Sequence, residues 1–260
     1  SFAIFDLAAP VTITKMDTGK RFQSMQVINE DQYTAMVVYE PGSYTLTQDK
    51  IGTRYVFVVV RTLVDSEDPE DVKKVNAIQR QLKVEQKSAG TFEIPNWDTA
   101  SQEKVRAALK VLSATMENYD GAFGSKDEVN PVKFLFASAT GWGGNPRNHA
   151  MYTGVTPEMN DGKTAYVLTV KDVPVDGFWS ISLYNKEGYF QQNKYNAYSV
   201  NNITGTQNDD GSMTIHFGGD PKQANYLPIM DGWNYLVRLY QPSKEILEGS
   251  WTFPAPQAVE

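Results

Sequence analysis

Two arginines could bind a carboxylate ligand, because both are placed in predicted strands that are otherwise apolar. Arg54 opens the run 54–60, and Arg238 lies within the run 233–240. A guanidinium buried in a sheet must be paired with an acceptor. The acceptor is either an acidic side chain in a structural ion pair or the carboxylate of a ligand in a cavity. The sequence leaves both interpretations open.

A second candidate surface is the Tyr/Asn loop, residues 184–198, where tyrosines are interleaved with side-chain amides. Its candidate ligand-binding residues are Tyr184, Asn185 and Tyr195. Aromatic rings stack on sugars and other small ligands while amides fix their orientation. The alternative is a long turn whose tyrosines pack on the sheet and whose asparagines satisfy backbone groups.

The glycine-rich stretch 141–146 supplies Trp142 and Asn145, and the polar loop behind it supplies His149. Because the stretch follows a predicted helix, it is either a helix stop with a tight loop or the floor of a ligand site. Loops carry functional side chains more often than strands do. We therefore include all three residues among the candidates.

Reaction chemistry has little support in the motifs. The chain has two histidines, of which His216 alternates with the apolar residues of run 213–217 and is expected on the outer face. No Gly-x-Ser-x-Gly elbow occurs, although a serine paired with His149 or His216 remains an alternative. Zinc-binding histidine spacings and nucleotide-binding glycine motifs are also absent. We expect no metal and no cofactor, and we leave open whether the protein is an enzyme.

Composition narrows the class of partner. The 260 residues carry a net charge of −7 and include no cysteine. A Lys/Arg-rich patch is missing, so nucleic acid is not an expected partner. No apolar run approaches the roughly 20 residues of a membrane span. A small-molecule ligand and self-association into a homo-oligomer both remain open.

The order of predicted elements is β, then helical, then β. Asp68, Asp98 and Asn130 are predicted N-caps, and Gly141 is the predicted end of the third helix. Apolar stripes at helical spacing follow the first two caps: Val72, Val75, Ile78 and Leu82, then Val105, Leu109, Leu112 and Met116. Strands are predicted at 21–27, 33–39, 55–60, 166–170, 178–185, 213–217 and 233–240, with hairpin-type turns at 160–162 and 209–211.

These elements predict a mainly β fold, α+β overall. We expect two β-sandwich or jelly-roll-like units with an amphipathic helical segment between them. The predicted domains are residues 1–141, an N-terminal β unit with the helical segment, and residues 150–260, a C-terminal β-sandwich unit.

The motifs also resemble two bacterial families. Residues 6–13, 21–29 and 52–56 are similar to the family of domain-of-unknown-function 1254. Residues 168–185, 195–199 and 233–240 resemble its usual companion, domain-of-unknown-function 1214. The resemblance implies sandwich or jelly-roll units and an exported protein, periplasmic or secreted after removal of an export signal that this chain does not contain. It also implies a segment ahead of the first strand, but no reaction.

The leading functional hypothesis is a soluble exported protein that binds, and in one version processes, a small ligand in a cleft between the two β units. The predicted ligand-binding residues are Arg54, Trp142, Asn145, His149, Tyr184, Asn185, Tyr195 and Arg238. One alternative is a structural or self-assembling protein without catalysis. A second alternative is an ester or amide hydrolase with a Ser/His pair.

Overall fold

The computed structural model describes residues 1–66 and 68–259. About 31% of the chain is strand and 17% is helix, so the predicted mainly β class is confirmed. The chain divides into two compact units, Ser1–Arg147 and Asn148–Glu260.

The described residues of the first unit form seven strands and four helices. They are β1 Phe2–Asp6, β2 Val11–Lys15, β3 Gln23–Asn29, β4 Thr34–Val38, β5 Gly42–Leu46, α1 Gln48–Ile51, β6 Tyr55–Thr62, α2 Pro69–Arg80, β7 Lys83–Gln86, α3 Thr99–Ser113 and α4 Pro131–Thr140. One antiparallel sheet has the order β1-β6-β3-β4 and the other the order β5-β2-β7. Apolar side chains from both sheets, such as Ile13 and Val58, form one core between them. The unit is therefore a two-sheet sandwich with helices added.

Strand β6 lies between β1 and β3, as its β-branched sequence predicts for a central strand. Its neighbour β3 is buried along its whole length, although its sequence alternates between polar and apolar residues. The polar members find partners: Gln26 Nε2 donates to the Gly144 carbonyl at 2.9 Å. Arg61 donates to Gln26 Oε1, also at 2.9 Å. Gln26 can be buried because these two partners satisfy both ends of its amide.

All three predicted helix starts are confirmed by side-chain caps. The Asp68 carboxylate accepts from the Glu70 amide at 2.9 Å, and Asp98 accepts from the Ser101 amide at 3.1 Å. Asn130 caps α4 by accepting two amides. The apolar stripe predicted for α3 is only partly covered: Val105 and Leu112 are exposed and Leu109 is half-buried. Met116 lies beyond the end of this helix.

As far as residue 259, the second unit forms eight strands and one short helix. They are β8 Ala150–Val155, β9 Tyr166–Val170, β10 Trp179–Tyr184, β11 Ser199–Asn201, β12 Met213–Phe217, β13 Tyr226–Leu227, β14 Asn234–Tyr240, α5 Lys244–Leu247 and β15 Gln257–Ala258. Two sheets, β11-β10-β14-β8 and β13-β12-β9-β15, enclose one core that includes Ile181, Ile215 and Trp233. This unit is also a two-sheet sandwich. The pairing is antiparallel except between β12 and β13.

The two hairpin predictions are wrong, although the local turns exist. The Asp161 carboxylate accepts from the Lys163 and Thr164 amides, and the Asn208 amide donates to the Ser212 carbonyl. The strands before and after each turn belong to different sheets. Turn residues determine where the chain reverses, but the pairing partner depends on the whole sandwich. Within the described residues, no helix has the length and apolar character needed to cross a bilayer.

Candidate functional site

Arg54 lies just before β6 rather than inside it, and it is paired with carboxylates. Its Nε and Nη2 donate to the two carboxylate oxygens of Asp6 at 3.2 and 2.9 Å. Its Nη1 donates to Glu93 Oε2 at 3.0 Å. These hydrogen bonds from Arg54 hold the pKa of Asp6 well below its usual range. Arg54 thus forms a structural ion pair, and its nearest acceptors belong to the protein.

The same ion pair fixes an irregular segment after β7. Arg54 Nη2 donates to Thr91 Oγ1 at 3.0 Å. The Tyr55 hydroxyl donates to the Thr91 carbonyl and accepts from the Glu93 amide, each at 2.9 Å. The ring of Phe92 meets the ring of Tyr55 edge-on at 5.4 Å. Although residues 91–93 have no regular structure, several hydrogen bonds therefore position them against β6.

This segment forms one wall of a concave volume of about 350 Å³, which we name the aromatic pocket. Trp142 closes another side, with its ring edge-on to Phe57 at 5.3 Å. The lining residues are Ile4, Asn29, Glu30, Tyr55, Val56, Phe57, Phe92, Glu93, Ile94, Pro95, Trp97 and Trp142. Five aromatic side chains thus surround one volume in the first unit.

Two carboxylates lie in the lining of the aromatic pocket. Glu93 is paired with Arg54. Glu30 Oε2 accepts from the Tyr55 amide at 3.0 Å, and no lysine or arginine of the described chain forms an ion pair with it. The rings of Trp97 and Trp142 are 65% and 49% exposed. The pocket therefore offers aromatic faces to solvent beside a carboxylate that lacks a counter-charge.

The other candidates around residue 145 are placed differently. Asn145 is buried in the loop after α4 and does not line the aromatic pocket. His149 precedes β8 in the second unit, and its carbonyl accepts from the Gln241 amide at 2.9 Å. His216 is half-buried, as its alternation predicts, with Nδ1 at 2.8 Å from the Ala224 carbonyl oxygen. The Ser/His hydrolase stays a prediction.

In the Tyr/Asn loop, the asparagines bind the backbone of their own segment. Asn185 Oδ1 accepts from the Tyr189 amide at 2.9 Å. Asn193 accepts from the Tyr195 and Ala197 amides and donates to the Ala197 carbonyl. Tyr195 is partly exposed, and its ring meets that of Tyr226 edge-on at 5.2 Å. The amides thus shape the loop, while its aromatic rings remain available for contact.

Arg238 lies in β14 and contacts Tyr184 directly. Its Nη2 donates to the Tyr184 hydroxyl at 2.6 Å, and its Nη1 donates to Ser182 Oγ at 2.7 Å. No carboxylate among the described residues forms an ion pair with Arg238. The two arginines that looked alike in the sequence therefore differ: Arg54 has acidic partners, and Arg238 has neutral ones.

Several pocket residues were missed by sequence reasoning, namely Glu30, Phe92, Glu93 and Trp97. A usable signal was present, because residues 92–97 contain three large apolar side chains in a predicted loop. Large apolar residues outside regular elements mark either a covered loop or a binding surface. Ser182 was also missed, since a serine in a strand carries no distinctive pattern.

The chain is similar to one protein family and to two solved structures. A family model described as "Protein of unknown function (DUF1214)" matches residues 151–244, as expected for the C-terminal part. No curated protein matches. The VPA0106 protein of Vibrio parahaemolyticus is 16% identical with a TM-score of 0.77, covering 100% of this chain and 88% of that one. An uncharacterised protein of Burkholderia cenocepacia is 16% identical with a TM-score of 0.55, covering 100% and 75%. At 16% identity, the similarity to these two structures supports a shared fold alone.

Proposed function

We propose that the aromatic pocket binds a small organic cation with a flat or apolar body. The observation that carries this proposal is the grouping of five aromatic rings and the Glu30 carboxylate, which has no counter-charge, around one concave volume of about 350 Å³. Ligand sites are concave and mostly apolar, with few polar groups, and they range over roughly 300–1,000 Å³. The pocket is at the lower end of this range, which favours a small ligand.

The charges favour a cation over an anion. Trp, Tyr and Phe rings attract cations to their faces, and desolvated cases are worth roughly 2 kcal/mol. Glu30 adds a carboxylate without a counter-charge, and the chain as a whole carries −7. An anionic ligand in this pocket would be repelled by the Glu30 carboxylate. A neutral flat molecule would gain only the apolar contacts.

A second candidate function is an interaction surface without chemistry. Its support is the exposure of Phe92, Ile94 and Trp97, which are 61%, 65% and 65% exposed in one short segment. Contiguous exposed apolar side chains commonly mark a protein contact. Sedimentation of the purified protein separates the two functions, because a contact between copies predicts a concentration-dependent dimer that Trp97→Ala abolishes.

Ligand binding is tested with phenyltrimethylammonium, using benzyl alcohol, an uncharged aromatic compound that dissolves at the same concentrations, as the control. Trp97 and Trp142 line the pocket, so their fluorescence should respond to the bound cation. We expect a Kd of about 1 mM or tighter for the cation and binding at least about tenfold weaker for the neutral molecule. Trp97→Ala and Glu30→Gln should each weaken cation binding severalfold. Tyr189→Ala, which removes an exposed aromatic of the second unit, should have no effect.

Equal affinity for the charged and the neutral molecule would contradict the cation class. Absence of any response of Trp97 and Trp142 at about 10 mM of either compound would contradict ligand binding in the pocket. Circular dichroism of each variant shows whether the fold is retained, so that a loss of binding is assigned to the site.

We also propose that residues 1–141 belong with the family of domain-of-unknown-function 1254 and that the protein is exported. Support comes from the motifs at 6–13 and 52–56 and from solved relatives whose fold covers the whole chain. Fractionation of cells that produce the full-length protein tests export, and recovery only with the cytoplasmic fraction would contradict it. A family alignment without counterparts of residues 6–13 and 52–56 would contradict the family assignment.

A further inference from the structure

We propose that Arg238, Ser182 and Tyr184 form a second binding site, specific for a carboxylate attached to a planar apolar body. This site lies in the second unit and is independent of the aromatic pocket. We name it the Arg238 site. It differs from the pocket in the sign of its charge as well as in its residues.

The fold places the three side chains on one face of a sheet. In β14, Tyr235, Val237 and Leu239 are buried in the core, so Arg238 points away from it. Ser180 is opposite Arg238 in the neighbouring β10. Successive side chains of a strand alternate between faces, so Ser182 and Tyr184 share the face of Ser180. The guanidinium extends along β10 to reach both hydroxyls.

The hydrogen bonds of the Arg238 site leave donors without acceptors. An arginine carries five N–H donors, and Arg238 uses two of them on Ser182 Oγ and Tyr184 Oη. A hydroxyl that accepts from a guanidinium still has its own O–H to donate. Within the described chain, neither hydroxyl donates to a protein acceptor, and the remaining N–H groups of Arg238 have none. The site therefore has more hydrogen-bond donors than acceptors.

Three arginines of the described chain have carboxylate partners, whereas Arg238 and Arg61 have only neutral ones. Arg21 is paired with Asp71, Arg54 with Asp6 and Glu93, and Arg147 with Asp120. Arg238 is partly withdrawn from water, and Ser182 beside it is only 5% exposed. Withdrawing a cation from water without a counter-ion costs stability. An anionic ligand would supply the missing counter-charge.

Aromatic rings next to the guanidinium indicate what the anion is attached to. The Tyr184 ring stacks on the Phe190 ring at 4.9 Å with an interplanar angle of 17°. Phe190 in turn contacts the Tyr198 ring at 5.6 Å. Rings of this kind pack against planar apolar groups in offset or edge-on geometry. An aromatic carboxylate would place its acid on Arg238 and its ring beside this group.

The single charge of the site selects a carboxylate over a phosphate. One guanidinium matches the two oxygens of a carboxylate in a bidentate fork, and two hydroxyls can donate to the same oxygens. A dianionic phosphate would need further cations, and within the described chain no second lysine or arginine is a hydrogen-bond or ring partner of Ser182, Tyr184 or Arg238. Monoanionic aromatic acids are therefore the expected ligand class.

Isothermal titration calorimetry with benzoate tests the proposal, with benzamide as the uncharged control of the same shape. We expect benzoate to bind with a Kd of about 1 mM or tighter and benzamide at least about tenfold more weakly. Arg238→Met keeps the apolar stem but removes the charge, and it should weaken benzoate binding at least tenfold. Arg80→Met makes the same change of net charge on an exposed face of α2 and should leave binding unchanged. Sulfate should compete poorly.

Two further variants keep the test decisive. Tyr184→Phe removes one hydroxyl and keeps the ring, so it should weaken benzoate binding severalfold even if Arg238→Met fails to fold. Trp97→Ala, in the aromatic pocket, should leave benzoate binding unchanged, which separates this site from the proposed function. No heat from benzoate at about 10 mM, or binding that Arg238→Met and Tyr184→Phe both leave intact, would overturn the proposal. Equal binding of sulfate would overturn its carboxylate class.

Discussion

Asp6 and Arg54 form a two-point ion pair between the end of β1 and the start of β6, with N–O distances of 3.2 and 2.9 Å. The Asp6 carboxylate also accepts from the backbone amides of Ala8 and Thr91. One acidic side chain thus connects a strand end, a turn and the loop that walls the aromatic pocket. Because the carboxylate is nearly fully buried, its hydrogen bonds must be made within the protein.

We expect acid to destabilise the protein through Asp6. Its pKa is lowered in the folded state, chiefly by the hydrogen bonds from Arg54, relative to about 3.8 in the unfolded chain. A lowered folded-state pKa stabilises the native protein above the unfolded pKa, and this contribution is lost as the pH falls below about 4. In thermal melts from pH 7 to 2.5, the Tm of the wild type should fall more steeply below pH 4 than that of Asp6→Asn.

At pH 7 the Asp6→Asn protein should melt about 2–4 °C below the wild type, since the ion pair is absent. Asp31→Asn is the matched control, because it makes the same change of charge at an exposed position. Its melting profile should run parallel to that of the wild type. If Asp6→Asn also runs parallel, Asp6 does not contribute to the acid transition.

The sequence predicted best those structural features that depend on interactions between residues close in the chain. Asp68, Asp98 and Asn130 each cap a helix, because their side chains can satisfy the free amides of the first turn. Strand β6 lies at the centre of its sheet, as its β-branched run predicts. The pairing of strands across the sandwich was not readable, because turns such as that at Asp161 connect different sheets.

The candidate site could be predicted from the sequence only in part, for a different reason. Arg54 and Arg238 occupy similar sequence contexts, yet the carboxylates that pair with Arg54 come from residues 6 and 93, far along the chain. Whether an arginine has a counter-charge depends on such long-range contacts. Asn185 was predicted to bind a ligand through its amide, but its nearest partner is a backbone amide four residues along the chain. A single sequence does not separate these uses of the same side chain.

Gly144→Ala should destabilise the first unit. A methyl group at residue 144 would lie 2.5 Å from Cζ of the Phe123 ring, which is too close for contact without movement. Shifting a packed ring typically costs about 1–3 kcal/mol. Gly154→Ala in β8 is the control, because a methyl group there meets nothing within 4 Å. Urea denaturation should show a lower free energy of unfolding for Gly144→Ala and an unchanged one for Gly154→Ala. Equal stability of the two variants would refute the proposed clash.

Asn193→Ala should loosen the Tyr/Asn loop while leaving the sandwich folded. The Asn193 amide makes hydrogen bonds to the backbone of Gln191, Tyr195 and Ala197. Loss of this set should cost about 1 kcal/mol and expose the Tyr195 and Ala197 amides to exchange. Hydrogen exchange followed by mass spectrometry measures this directly. Gln192→Ala, in the same loop, should keep the wild-type exchange rates, and similar rates in both variants would argue against the bracing role of Asn193.

Lys15 should make stability depend on alkaline pH. Its ammonium is buried and donates to the carbonyls of Gln23, Val38 and Tyr39, the last at 2.7 Å. Burial lowers the pKa of Lys15 to about 8, below its unfolded value of 10.5. The unfolded chain then binds more protons between pH 8 and 10.5, so this group raises the free energy of unfolding as the pH increases.

Lys15→Met should lose about 1–3 kcal/mol of stability at pH 7, because three carbonyls lose their donor. In urea denaturation, the free energy of unfolding of Lys15→Met should fall further below that of the wild type as the pH rises from 7 to 10. Lys83→Met, at an exposed position, should match the wild type at every pH. A deficit that stays constant with pH would place the titration of Lys15 outside this range.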